Sequence, residues 1–181
     1  MKVEKIVMDD ALLLKPKIFG DERGYFFESY NEKILESIGL KEKFVQDNQS
    51  MSHKGVIRGM HFQMPPNTQG KLVRVTRGAV FDAIVDLRKG SKFFGKSYGI
   101  ELSAENAHML WVPPGFAHGF QTLLDNTIFQ YKCTNYYNKE SEKSIRWDDP
   151  FLEIEWPISA PAVLSQKDKD GFFFYEFDSP F

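Results

Sequence analysis

Gly55-Val-Ile-Arg-Gly-Met-His-Phe-Gln63 is the stretch that decides how this chain is read. It has the length, β-branched entry and aromatic content of a strand, and a turn at His53-Lys-Gly55 precedes it. Strict alternation puts Ile57, Gly59, His61 and Gln63 on one face and Val56, Arg58, Met60 and Phe62 on the other. An ionisable side chain facing inward from a half-buried strand loses hydration unless it meets a partner or a ligand, so Arg58 and His61 suggest the wall of a cavity. The two can serve one cavity only if the strand breaks its alternation, and Gly59 is the natural place for a bulge.

Neighbouring segments extend the pattern. In Lys71-Leu-Val-Arg-Val75 the lysine is in phase with Val73 and Val75, and in Phe129-Gln-Tyr-Lys-Cys133 the tyrosine is in phase with Phe129 and Cys133. Pro113-Pro-Gly-Phe-Ala-His118 adds a second inward histidine. A lone inward His is ordinarily a satisfied core residue, and a lone Tyr is ordinarily packing with one hydrogen bond. Four such groups, His61, Lys71, His118 and Tyr131, on different strands of one small barrel point instead to a working cavity. Asp82, in phase with Val80 and Ile84, is a candidate partner for Lys71, and the single Cys133 reads as a packed core thiol with no partner for an internal disulfide.

Short strands recur over 11–15, 25–30, 44–51, 56–63, 71–76, 79–87, 98–102, 108–112, 119–123 and 127–134, with turn residues between them. One segment reads as a helix, Asn31 to Gly39, with Asn31 as its amino cap and Gly39 as its left-handed stop. The expected class is all-β, an antiparallel sandwich or jelly roll with one short helix near the amino end, spanning 1–181 as one domain. Seventeen phenylalanines suit sheet surfaces. The tail from about Pro157 carries Lys167-Asp-Lys-Asp170, which alone would read as a solvated turn, then Gly171-Phe-Phe-Phe-Tyr-Glu-Phe177. Such an aromatic run is expected to pack on the barrel or on a second subunit, bringing Asp168 to the body of the domain and favouring a homodimer.

The formal net charge of -2 gives no general attraction to nucleic acid or to an anionic membrane. An anionic ligand must be held by a local cluster, for which Arg23, Arg58, Lys71 and Lys167 are the candidates. No apolar run is long enough for a membrane span or a signal peptide, so a cytoplasmic protein is expected.

The motif ending in His118 matches the second half of the cupin metal signature, but the first half needs a His-x-His pair and a nearby Glu. Here the chain reads His61-Phe-Gln63 and Gln69-Gly-Lys71, a donor set poorly suited to a divalent cation, so no metal is expected. Taken in order, Asp21 to Glu28, Phe44 to Asn48, Gly55 to Gln63, Lys71 to Val75, Val85 to Arg88, Trp111 to Phe120, Tyr131 to Thr134 and Leu164 to Asp168 closely resemble the dTDP-4-dehydrorhamnose 3,5-epimerase family.

The resemblance implies a cupin-type jelly roll that works as a homodimer without metal or organic cofactor. It implies epimerisation at C3 and C5 of dTDP-4-dehydro-6-deoxy-glucose to dTDP-4-dehydro-L-rhamnose. The implied roles are His61 as base, Asp168 as its orienting carboxylate, Lys71 stabilising the enolate by its charge, and Tyr131 as the acid on the opposite face. Arg23, Glu28, Gln46, Asp47, Asn48, Arg58, Lys71, His118, Glu142 and Lys167 are implied as substrate-binding, with Tyr137 stacking on thymine. Two other readings stay open: an epimerase of one carbon only, or of another nucleotide-linked 4-keto sugar, and a cupin that binds a sugar nucleotide without turning it over.

Overall fold

The computed structural model describes residues 1–159 and 162–181. Two antiparallel sheets lie face to face. One has six strands in the order β1 (Lys2–Val7), β2 (Ala11–Lys15), β10 (Met109–Val112), β7 (Lys71–Arg77), β12 (Thr127–Cys133) and β5 (Gln46–Ser52). The other has five, β13 (Glu142–Ser144), β6 (Ile57–Gln63), β11 (Phe116–Thr122), β8 (Ala79–Asp86) and β9 (Ser97–Ser103). This is the all-β, cupin-type jelly roll that was expected. A separate hairpin, β3 (Phe19–Asp21) with β4 (Gly24–Phe26), stands apart from both sheets.

Side-chain alternation builds three apolar layers. Val73 and Val75 of β7, Leu110 and Val112 of β10, Val80 and Ile84 of β8, and Phe116, Phe120 and Phe129 fill the space between the sheets. The opposite faces of the same strands are also covered: Leu72, Met109 and Trp111 pack under Leu35 of α1 (Glu32–Ser37), and Met60, Phe62, Ala83 and Val85 lie under the tail. That is why β8 reads as an almost unbroken apolar run rather than an alternating one. Each fully buried Leu, Ile or Phe contributes roughly 1.5–3 kcal/mol by leaving water.

Asn31 caps α1 by accepting from Ile34 N at 3.2 Å, and Gly39 follows the helix at φ +94°. The expectation of one helix falls short. Lys167-Asp-Lys-Asp170 is not a solvated turn but part of a second short helix, α2 (Gln166–Lys169), whose amino cap Ser165 accepts from Asp168 N at 3.2 Å. Three short strands were also not anticipated as such: β1, β13 and the first arm of the hairpin. The tail packs on its own barrel, with Phe172, Phe174, Phe177 and Phe181 against Met60, Phe62 and Leu152. Among the described residues no helix is long and apolar enough to cross a membrane.

The pairing of β6 with β11 settles the question posed by Arg58 and His61. His118 faces His61 and Phe120 faces Arg58, so a two-residue step on β11 spans a three-residue step on β6. The extra residue is the bulge expected near Gly59. Glycine is required there: φ is +145°, and a Cβ would sit 2.4 Å from Gly119 Cα.

Candidate active site

The bulge turns Arg58 and His61 toward the same space, a cavity of about 340 Å³. Lys71 and Phe129 line it from the facing sheet with Tyr131, His118 reaches it from β11, and Ser165, Lys167 and Asp168 close it from the tail. Glu142 belongs both to this cavity and to a smaller one lined by Gln46, Asn48, Gln69 and Tyr137, which also shares His61, Lys71 and Tyr131. The period-2 reading thus placed Lys71 and Tyr131 on the cavity side, and His118 is there as the motif ending in it suggested.

Asp168 is the most heavily partnered group in the site. Its Oδ1 lies 2.6 Å from His61 Nε2 and accepts from Gly59 N at 3.2 Å, and its Oδ2 accepts from the Ser165 hydroxyl at 2.6 Å. The Gly59 N–H faces the carboxylate at the bulge, where the ladder is interrupted. Burial alone would raise this carboxyl, but the bonds from His61, Ser165 and Gly59 outweigh it and hold it at about 2. Asp168 is therefore ionised at neutral pH and can only accept, so His61 Nε2 carries the proton and Nδ1 keeps the lone pair. Burial lowers His61 below its usual 6.5 despite the carboxylate, which leaves a neutral base.

Burial also lowers the Lys71 ammonium, opposed by Cys133, Glu142 and Asp82, so its charge is held less firmly than in water. Lys71 Nζ donates to His61 O at 3.4 Å. Burial raises Tyr131 above its ordinary 10.0, which keeps the phenol protonated. Arg58 Nε donates to Ser52 Oγ at 3.1 Å. Glu142 joins Lys167, its ion partner, to the Tyr137 hydroxyl, which donates to Oε2 at 3.0 Å.

Asp82 does not pair with Lys71. Its oxygens lie 3.0 and 3.1 Å from His118 Nε2. Although β7 and β8 follow one another in the chain, the turn at Arg77-Gly78 carries β8 into the other sheet, beside β11. Cys133 is buried as expected, and Asn48 Nδ2 donates to its sulfur at 3.5 Å. Asp47 falls on the alternate face of β5, paired with Lys132 at 3.0 Å. Arg23 sits on the exposed hairpin, paired with Asp21, and Glu28 accepts from Asn31 Nδ2. These three do not line the cavity of their own chain. Ser165 was missed, and only its place before a short helix could have revealed it.

Among the described residues no cluster of three or more His, Cys, Asp or Glu side chains stands ready for a metal ion. Gln63, at one broken metal-signature position, spends its amide on main-chain groups, Asn67 O at 2.5 Å, Tyr136 O at 3.2 Å and Asn138 N at 2.7 Å.

Residues 5–176 match the dTDP-4-dehydrorhamnose 3,5-epimerase family. The chain belongs to that family. A curated relative from Salmonella typhimurium, named dTDP-4-dehydrorhamnose 3,5-epimerase, is 56% identical over 169 residues, 93% of this chain and 92% of that protein. One of the same name from Shigella flexneri is 52% identical over 179 residues, 98% of each. The crystal structure of the Legionella pneumophila epimerase in complex with dTDP-4-keto-L-rhamnose superposes with a TM-score of 0.93 at 47% identity, covering 98% of this chain and 94% of that one.

Proposed function

We propose that this chain inverts C3 and C5 of dTDP-4-dehydro-6-deoxy-glucose to give dTDP-4-dehydro-L-rhamnose, a step toward dTDP-L-rhamnose. The observation that carries the reading is the 2.6 Å contact of His61 with Asp168 in a cavity shared with Lys71 and Tyr131. The 4-keto group acidifies the hydrogen on each neighbouring carbon. Neutral His61 takes that hydrogen as a proton, and Asp168 steadies the imidazolium that results. The electron pair moves onto the C4 oxygen as an enolate, which Lys71 stabilises. Tyr131 returns a proton from the other face, inverting the carbon, and solvent resets both groups.

Arg58, His118 and Lys167 are assigned to the nucleotide diphosphate, Arg58 as the bidentate clamp. Gln46, Asn48, Glu142 and Tyr137 are assigned to the nucleoside end, with Tyr137 stacking on thymine. Arg23, Glu28 and Asp47 bind too, Arg23 and Glu28 from the partner in a homodimer. Support for the dimer is the hairpin itself, where Phe19, Tyr25 and Phe26 are 52%, 67% and 66% exposed. No metal or organic cofactor takes part, and activity is retained after exhaustive chelation. The protein works in the cytoplasm, where an unpaired thiol such as Cys133 stays reduced.

Incubation with the 4-keto substrate in deuterated water, followed by NMR, tests the reaction. Deuterium enters both C3 and C5. Label at one carbon only would make this a mono-epimerase, and label at neither would leave a binding protein or a different sugar.

A further inference from the structure

Tyr137 projects from a segment, Asn135 to Asn138, that has neither helix nor strand, yet each residue of that segment is tied by a glutamine side chain. Gln69 donates to Asn135 O at 2.6 Å and Gln63 to Tyr136 O at 3.2 Å. Gln46 accepts from Tyr137 N at 3.0 Å, and Gln63 accepts from Asn138 N at 2.7 Å. These glutamines come from β5, from β6 and from the turn before β7. A surface loop ordinarily gives such groups to water. A buried amide must find partners somewhere, and Gln63 is only 5% exposed. That need does not explain why three separate elements converge on four consecutive residues.

Tyr137 as a residue meanwhile stays 54% exposed, with its hydroxyl on Glu142. A fixed backbone beneath an accessible ring is the geometry of a preset stacking platform. Gln63 also stands, with Lys71, at one of the two positions where the cupin metal signature is broken, and its amide serves the loop instead.

We propose that Gln63 and Gln69 are positioning residues that latch Asn135–Asn138, presetting the Tyr137 ring for the nucleobase and acting on nucleotide binding rather than on proton transfer. This rests on the reading of Tyr137 as the base platform. The test is a double-mutant cycle with Gln63→Leu, Gln69→Leu and Tyr137→Ala, using dTDP as the calorimetric probe alongside KM, kcat and thermal midpoint.

Each glutamine variant raises the dTDP Kd and the KM about tenfold, the size of one to two lost hydrogen bonds, with kcat within about threefold. In the Tyr137→Ala background the same changes add less than about twofold, because the ring they serve is gone. Losses that simply add, or a fall in kcat at unchanged KM, would overturn the latch while leaving the platform intact. Should Tyr137→Ala alone leave dTDP affinity unchanged, the platform reading falls and the latch falls with it. If Gln63→Leu does not fold, the partly exposed Gln69→Leu carries the cycle.

Discussion

Two histidine–aspartate pairs sit on neighbouring strands of one sheet, and their surroundings give them different work. His61 and His118 face each other across β6 and β11. The His61 side chain is 25% exposed and meets a carboxylate that His61, Ser165 and Gly59 together hold at about 2. The His118 side chain is 7% exposed, and its partner Asp82 is wholly buried. Burial pushes Asp82 up, opposed by His118 and by Lys71. The first pair has a neutral base, an ionised acceptor and access to the cavity. The second anchors a ring in the wall. On the proposed mechanism it is the greater exposure of His61 and the hydrogen bonds to its carboxylate, not residue type, that mark His61 and Asp168 as the dyad.

Removing the ring at the cavity pair has the largest effect. General base catalysis contributes on the order of 10² to 10⁴ in rate, so His61→Ala loses about that much from both isotope exchange and turnover, measured in deuterated water. His118→Ala instead weakens substrate binding and keeps exchange at saturating substrate. Equal loss of exchange in the two variants would erase the distinction.

Tyr131→Phe has a smaller and more selective effect. It keeps the ring beside Phe129, whose centroid lies 6.1 Å away, but removes the acid. Label then washes into substrate while little inverted product forms. Inversion of C5 at the parent rate would reduce Tyr131 to packing.

The smallest effects appear on titration. Because folding lowers His61, protonation that disables the base occurs below 6.5, and the acid limb of kcat/KM lies there. Burial lowers Lys71 from 10.5, so loss of its charge brings an alkaline limb below 10.5. For stability the sign follows from Asp168, depressed from 3.8 to about 2. Its contribution, about 2 kcal/mol, is present above pH 4 and lost as pH falls toward 2. Asp168→Asn flattens that acid limb of unfolding; an unchanged limb would mean the bonds to Asp168 stabilise nothing.

Much of this was legible in the chain because strands repeat every two residues. Alternation alone puts Lys71 beside Val73 and Tyr131 beside Phe129 on the inward face, and the opposed faces of Arg58 and His61 call for a bulge at Gly59. What alternation cannot supply is which sheet a strand joins. Asp82 was a candidate partner for Lys71 by its inward phase on a neighbouring strand, whereas the fold puts the two strands in different sheets and gives Asp82 to His118. Helix α2 was hidden by its four-residue length, too short for any period to show. Arg23 on the hairpin was a candidate by its charge and Glu28, just after the hairpin, by resemblance, and one chain alone does not carry either to its own cavity.

The comparison is tested most directly by neutralising the two aspartates in turn and following isotope exchange at C5 at saturating substrate. Asp168→Asn removes the acceptor that fixes the His61 tautomer, and exchange falls by about 10² or more. Asp82→Asn leaves exchange within about tenfold of the parent, since it touches only the anchoring pair. Comparable losses in both, or a greater loss from Asp82→Asn, would contradict the assignment of chemistry to His61 and Asp168.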